Sequence, residues 1–310
     1  MSELEEATSA NIFQSRRISE HLEGFGRLRF SPFGLPVLSQ ETIARLVSAR
    51  NEGKPSVEAS LDLGLTMEKV RLGKASVVLR GQRVKWDWLD RASRRGRDVF
   101  VAKGGRLKSV SVKGEHFYKL VPCPGGAPTL EIDGIHMHRV SRITPDQDTR
   151  MKIRALGFMK CSRVLDTCTG LGYTAIESVE AGACRVVTVE RDPDVLYVAR
   201  FNPWSRGLSD PQIQVVAGDC TEVIKKRRSF FDFIVHDPPR LALAGDLYSA
   251  RFYSDAFDAL KPGGKMLHYV GEPGQKFRRK RIVSGVKGRL ASAGFRVRHL
   301  RPERSVLAVK

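Results

Sequence analysis

No stretch of the 310 residues approaches the run of about 20 apolar side chains that a membrane span needs. The acidic start MSELEEATSANIF also lacks the apolar core of a secretory signal. Cysteine is scarce: Cys123, Cys161, Cys168, Cys184 and Cys220 are odd in number and contain no CxxC pair, so neither a disulfide framework nor a zinc knuckle is expected. Reduced thiols and a cytoplasmic setting are the expectation. Acid is in deficit as well, with 34 Asp and Glu against 53 Lys and Arg, a net charge of +19. That surplus suits a polyanion and is poor surroundings for a small cationic substrate. What remains, 41% hydrophobic and 28% charged residues, is ordinary globular composition. At this length two domains are expected.

The positive charge is concentrated in two stretches. Lys69 to Lys119 holds 15 basic and 4 acidic residues, and Gln275 to Arg301 holds 10 basic residues and no acid. Residues 1–68 are slightly acidic. Two separated basic runs point to a distributed polyanion-binding surface. Within the second run, Lys276, Arg278, Arg279, Lys280 and Arg281 are too dense for one amphipathic helix to hide, and they are expected to contact phosphates.

Residues 1–144 read as an α+β domain. SQETIARLVSARN (Ser39 to Asn51) has a serine start signal and a glycine beyond its end, the marks of a helix. Short alternating segments divided by glycine turns follow, ending in a hairpin around Asp133-Gly134, with Pro122 to Pro128 expected as a loop. Trp86 and Trp88 fall on one face of an extended RVKWDWL, at the edge of a core or as a stacking platform. His136 and His138 with Cys123 lack an evident fourth metal ligand, so no metal is expected.

From residue 145 to 310 strands and helices alternate at βαβ length, which predicts a doubly wound parallel sheet. The expected strands are Ser162 to Asp166, Arg185 to Glu190, Gln212 to Val216, Phe231 to His236, Gly264 to Val270, Phe295 to His299 and Ser305 to Val309. The first runs into Asp166-Thr167-Cys168-Thr169-Gly170-Leu171-Gly172, where two glycines permit a tight turn and close approach of a ligand. Glu190 closes the second strand about 20 residues on, where an acid can accept hydrogen bonds from ribose hydroxyls. Asp219 follows the third, placed for an adenine amino group. His236-Asp237-Pro238-Pro239-Arg240 ends the fourth. A dinucleotide fold is disfavoured because Ala175 stands at the third glycine position of GxGxxG.

This order of motifs resembles class I S-adenosylmethionine-dependent methyltransferases over residues 145–310. The resemblance implies a seven-stranded, Rossmann-like α/β methyltransferase domain behind the smaller N-terminal α+β domain. It also implies a cofactor site made of Asp166, Thr167, Gly170, Gly172, Tyr173, Glu190, Arg191, Asp219 and Cys220. Asp237, Pro238 and Pro239 resemble the DPPY motif of amino methyltransferases, in which the first side chain and a backbone carbonyl hold the target nitrogen. Arg240 stands where that motif has an aromatic, so it would stack on a base or bind a phosphate. His236 reads as a packing residue before it reads as a base. The whole chain looks like an archaeal-type family of predicted methyltransferases, and the resemblance implies guanine methylation, at N7 or N2, in tRNA. A DNA amino methyltransferase, a polyamine aminopropyltransferase and a non-catalytic RNA-binding factor are the alternatives. The oligomeric state stays open.

Overall fold

A computed structural model describes residues 26–157, 160–239, 245–271 and 276–310. Its central sheet consists of β1 (Gly26–Leu28), β2 (Ser162–Asp166), β3 (Ala183–Glu190), β4 (Ile213–Ala217), β5 (Phe231–His236), β6 (Leu260–Tyr269), β7 (Arg296–Leu300) and β8 (Ser305–Val309). They lie side by side in the order β1-β4-β3-β2-β5-β6-β8-β7. All seven strands expected from the sequence are present, and β1 adds an eighth by pairing antiparallel with β4. The sheet is not wholly parallel either. β8 runs antiparallel to both β6 and β7, because the tight turn after β7 leaves no room for a crossover helix.

β2 to β6 are parallel and rich in Val, Ile and Leu, as strands covered on both faces must be. One face is covered by α3 (Pro145–Leu156), α4 (Tyr173–Glu180) and α5 (Pro193–Ala199), whose Ile153, Ala175 and Val195 join Val164 and Val186 in one core. The other is covered by α6 (Cys220–Lys225), α7 (Ala250–Ala259) and α8 (Lys276–Ser292) through Ile224, Phe252 and Val286. In the N-terminal half, α1 (Gln40–Asn51) and α2 (Trp86–Ala92) pack with small antiparallel sheets around a separate core built on Leu38, Leu46, Leu79 and Leu89. α1 starts at Ser39, whose hydroxyl accepts from the Thr42 N–H at 3.2 Å.

The boundary expected at residue 145 is not a clean division. Phe30, Val37, Val99, Tyr118 and Leu130 belong to the same core as Ile153, Val186 and Phe233. Polar contacts reinforce the contact. The Tyr118 hydroxyl donates to Asp192 Oδ2 at 2.5 Å, the Trp204 indole to Leu63 O at 3.1 Å, and Arg200 Nε to Ser31 O at 2.8 Å.

Three local expectations are corrected. Residues 122–128 are a tight hairpin between strands Phe117–Cys123 and Gly126–Ile132. RVKWDWL is extended only to Lys85, where α2 begins. Trp86 and Trp88 therefore do not share a face: Trp86 is buried and Trp88 half-buried. Cys161 and Cys184 form a disulfide. They precede or begin neighbouring strands whose register pairs Ser162 with Ala183, a proximity that a 23-residue separation does not reveal. Among the described residues no helix is long and apolar enough to cross a membrane, and no three potential metal ligands gather.

Candidate active site

After β2 the chain winds toward β3, and β5 pairs with the opposite side of β2, so the crevice of this doubly wound sheet opens at the carboxyl ends of β2 and β5. Asp166, Glu190, Asp219 and Asp237 lie at or just beyond the ends of the four adjacent strands β2, β3, β4 and β5.

Asp166 is fully buried. Thr188 Oγ1 donates to its Oδ2 at 2.7 Å and in turn accepts from Thr169 Oγ1 at 2.7 Å. Asp166 Oδ1 makes no hydrogen bond to a described residue. Burial raises its carboxyl to about 7, against the opposing threonine contacts. The loop that follows needs its glycines: Gly170 has φ 54° and Gly172 φ 83°. A Cβ at Gly172 would stand 2.5 Å from Leu208, whereas one at Gly170 would meet nothing within 4 Å. Gly172 thus seats the loop on the protein, while Gly170 faces open space. Glu190 braces the same loop, its Oε2 accepting from Gly170 N at 2.9 Å and its Oε1 from Asp192 N at 3.0 Å. Burial raises Glu190 to about 7 despite those two N–H donors.

An unpartnered carboxylate oxygen, a glycine face open to a ligand and an acid on the neighbouring strand fit the ammonium, the backbone and the ribose of S-adenosylmethionine. The other expected cofactor residues divide. Asp219 accepts from Thr221 N at 2.8 Å and caps α6 through one oxygen. Arg191 is exposed beside Glu190. The Thr167 hydroxyl is 2.7 Å from His236 Nδ1. Two side chains turn away from the crevice. Tyr173 donates to Pro128 O at 2.8 Å and accepts from Asn202 at 2.8 Å, so its hydroxyl ties the two halves of the chain together. Cys220 is buried in the core behind the sheet, and burial raises its thiol.

Beyond β5, Pro238 is buried, Pro239 is exposed, and Pro239 O accepts from Tyr248 at 3.1 Å. Asp237 Oδ2 accepts from Lys152 Nζ at 2.7 Å. The two residues are 85 positions apart in the sequence. Lys152 is 4% exposed, also bonds Asp148 at 2.9 Å, and lies 3.8 Å above the Tyr269 ring. Burial would lower its ammonium, but Asp237 and Asp148 raise it above the ordinary lysine value. Arg139 Nη1 completes the line at 3.3 Å from Asp148. Arg139, Asp148, Lys152 and Asp237 form an alternating, charge-balanced chain that ends in the crevice. A signal existed: the buried face of α3 is Pro145, Asp148, Thr149, Lys152, Ile153 and Leu156. Helical spacing thus places an Asp and a Lys inside an apolar stripe.

His236 is no base. Its Nε2–H donates to Leu247 O at 2.9 Å and its Nδ1 accepts from Thr167, so both ring nitrogens are committed, and burial lowers it to about 3. His136 and His138 serve the hairpin through Glu131 at 3.1 Å and Thr129 at 3.0 Å. Arg240 lies outside the described residues. Lys276, Arg278, Arg279, Lys280 and Arg281 occupy the first turns of α8, and their side chains lie outside the description.

If Asp166 and Glu190 hold the cofactor as expected from the sequence, their two raised carboxyls make its affinity depend on pH. A cationic ligand favours ionised Asp166, and ribose hydroxyl donors favour ionised Glu190, so binding lowers both values from about 7. Affinity is therefore expected to rise between pH 6 and 8 by up to about tenfold per group, with protons released. Calorimetry in buffers of different ionisation enthalpy reads that release, and a flat pH profile with equal heats would refute it.

The profile of the spermine/spermidine synthase domain matches residues 174–298. An uncharacterized protein of Methanocaldococcus jannaschii, MJ1233, is 40% identical over 266 residues, 84% of this chain and 91% of its own length. Ribosomal RNA large subunit methyltransferase I of Photobacterium profundum is 27% identical over 183 residues, 56% of this chain. The matched region is 46% of that relative, so the chain spans about half its length. A spermidine synthase solved with the transition state analogue AdoDATO superposes with a TM-score of 0.51 at 20% identity, covering 64% of this chain and 72% of the other. That likeness establishes the Rossmann-like α/β fold.

Proposed function

The chain belongs to the family of MJ1233 of Methanocaldococcus jannaschii, and on that premise we propose that it is an S-adenosylmethionine-dependent methyltransferase acting on a guanine of RNA, with tRNA as the substrate. The observation that carries this reading is the Lys152–Asp237 ion pair at the crevice. A site for a polyamine must attract a cation, but here the carboxylate beside the reaction point is already neutralised by a buried ammonium. A net charge of +19 adds to the repulsion. A polyanion meets the opposite field, and the Photobacterium relative is named as a ribosomal RNA methyltransferase.

Bound against Asp166, Gly170 and Glu190, S-adenosylmethionine supplies an electrophilic methyl group on a sulfonium. The protein's task is to hold the acceptor in line with it. Lys152 occupies Asp237 Oδ2 and fixes the carboxylate plane, which leaves Oδ1 to accept an N–H. By its resemblance to the DPPY motif, a backbone carbonyl of the Asp237–Pro239 loop would offer a second acceptor. Two acceptors suit the two hydrogens of an exocyclic amine, which favours guanine N2 over N7, since N7 has none to donate. The nitrogen held at Asp237 would take the methyl group that the sulfonium supplies, leaving the thioether, and its extra proton would pass to water.

The matched synthase profile supports aminopropyl transfer as a second reading. One experiment separates them: incubation with unmodified tRNA and labelled S-adenosylmethionine, beside decarboxylated S-adenosylmethionine with putrescine. N2-methylguanosine in the nucleoside digest is expected. Spermidine formation with unmodified tRNA would replace the proposal by the second reading.

A further inference from the structure

Far along the chain from the crevice residues, α2 and the strands Val99–Lys103 and Arg106–Ser109 build a small basic surface around Trp88. The Arg91 and Arg106 guanidinium carbons each lie 5.8 Å from the centre of its ring. Lys103 is the register partner of Arg106, so their side chains leave the same face of the hairpin. Arg91, Lys103 and Arg106 are all exposed and form no ion pair with a described residue. Asp87 is one turn before Arg91, yet it is not paired with it. The turn after α2 adds exposed Arg94, Arg95 and Arg97.

This arrangement is costly in isolation. Like charges directly opposite on paired strands are destabilising, and the dipole at the end of a seven-residue helix is satisfied by one or two cations. Nearby basic residues meet acids instead: Arg50 pairs with Asp90 at 3.0 Å, Arg80 with Asp62 at 3.0 Å, and Lys119 with Asp98 at 2.5 Å. The tryptophans differ in the same way. The Trp86 indole donates to Gly73 O at 2.9 Å and the Trp204 indole to Leu63 O at 3.1 Å. Trp88 is half-buried and its N–H has no partner among the described residues.

We propose that Trp88, flanked by Arg91, Lys103 and Arg106, is a docking platform for an unpaired RNA strand, on which one base stacks while the adjacent phosphates meet the cations. The inference rests on the RNA reading above and deepens it. A flat π surface bordered by cations matches a nucleotide, which carries a π face and an anion a few ångströms apart. Duplex RNA conceals its base faces and would use the cations alone.

Two measurements on the full chain test this. Labelled decauridylate is titrated in anisotropy at a series of salt concentrations, and tryptophan emission is followed in parallel. The wild type is expected to bind with quenching, and to bind the single strand more tightly than a duplex of equal charge. Trp88→Leu is expected to weaken binding by about 5- to 100-fold and abolish the quench. Because Trp88 also packs against the N-terminal core, the exposed pair Arg91→Ala/Arg106→Ala serves as the second variant. It should flatten the slope of log affinity against log salt by about 1.4. Both variants should keep wild-type affinity for S-adenosylmethionine. Unchanged affinity in a folded Trp88→Leu protein, equal binding of duplex and single strand, or stronger binding to phosphatidylserine vesicles than to RNA would each overturn the platform. Quenching by decauridylate without any methylated nucleoside would leave the platform standing and reject the methyl-transfer reading. Methylation without quenching would do the reverse.

Discussion

Asp237→Ala is expected to lower single-turnover methyl transfer by on the order of 10²-fold or more, while affinity for tRNA changes by no more than a few-fold. Asp237 lies just beyond the end of β5, where the proposed mechanism has its second carboxylate oxygen hold the acceptor, whereas the basic stretches proposed to grip a polyanion lie elsewhere on the chain. Removing the carboxylate leaves Lys152 with Asp148, still 2.9 Å away, so the fold survives the change. Rapid-quench assays at saturating enzyme separate the chemical step from binding. A variant that turned over at the wild-type rate would remove the β5 loop from the active site.

Lys152→Met is expected to cost about 1.5 to 3 kcal/mol of folding stability, the usual result of removing a charge-assisted hydrogen bond from a partly buried carboxylate. Asp148 retains Arg139, so most of the loss falls on Asp237. The double variant Lys152→Met/Asp237→Asn removes both charges of that pair and should recover part of the stability but none of the activity. Urea unfolding reads this as a midpoint that falls in the single variant and rises again in the double, at constant slope. If the single variant unfolds with the wild type, water rather than protein solvates the pair and the positioning role fails.

Most of the fold was legible because its signals are local. SRVLD and FDFIVH are buried runs of strand length ending in an acid or beside one, and each leads directly into its loop, so chain order places Asp166 and Asp237 at strand ends. Helix caps were equally visible at Ser39. Most of the failures come from contact between residues distant in sequence. Lys152 and Asp237 are 85 positions apart, and an Asp and a Lys one turn apart on a helix ordinarily mark a solvated face. Gly26–Leu28 gives no sign that it will pair with Ala217 to Val215. The WDW segment misled differently. Its alternation satisfied the strand pattern, but a tryptophan at each end of WDW fits a helix equally well when one ring is inside and the other at the rim.

The pairing of β1 with β4 bears on how the chain can be handled. A separately produced C-terminal half would begin after the strand that closes one margin of its own sheet, and would bare the backbone N–H and C=O groups of Ile213–Ala217 together with the apolar surface that Phe30, Val99 and Tyr118 cover. Open margins of that kind recruit other strands, and such a fragment would be prone to aggregate. The earliest described residues thus act as an inbuilt chaperone for the last half of the polypeptide. During synthesis they emerge long before β4 and must wait, without that partner, until nearly two hundred further residues have followed them.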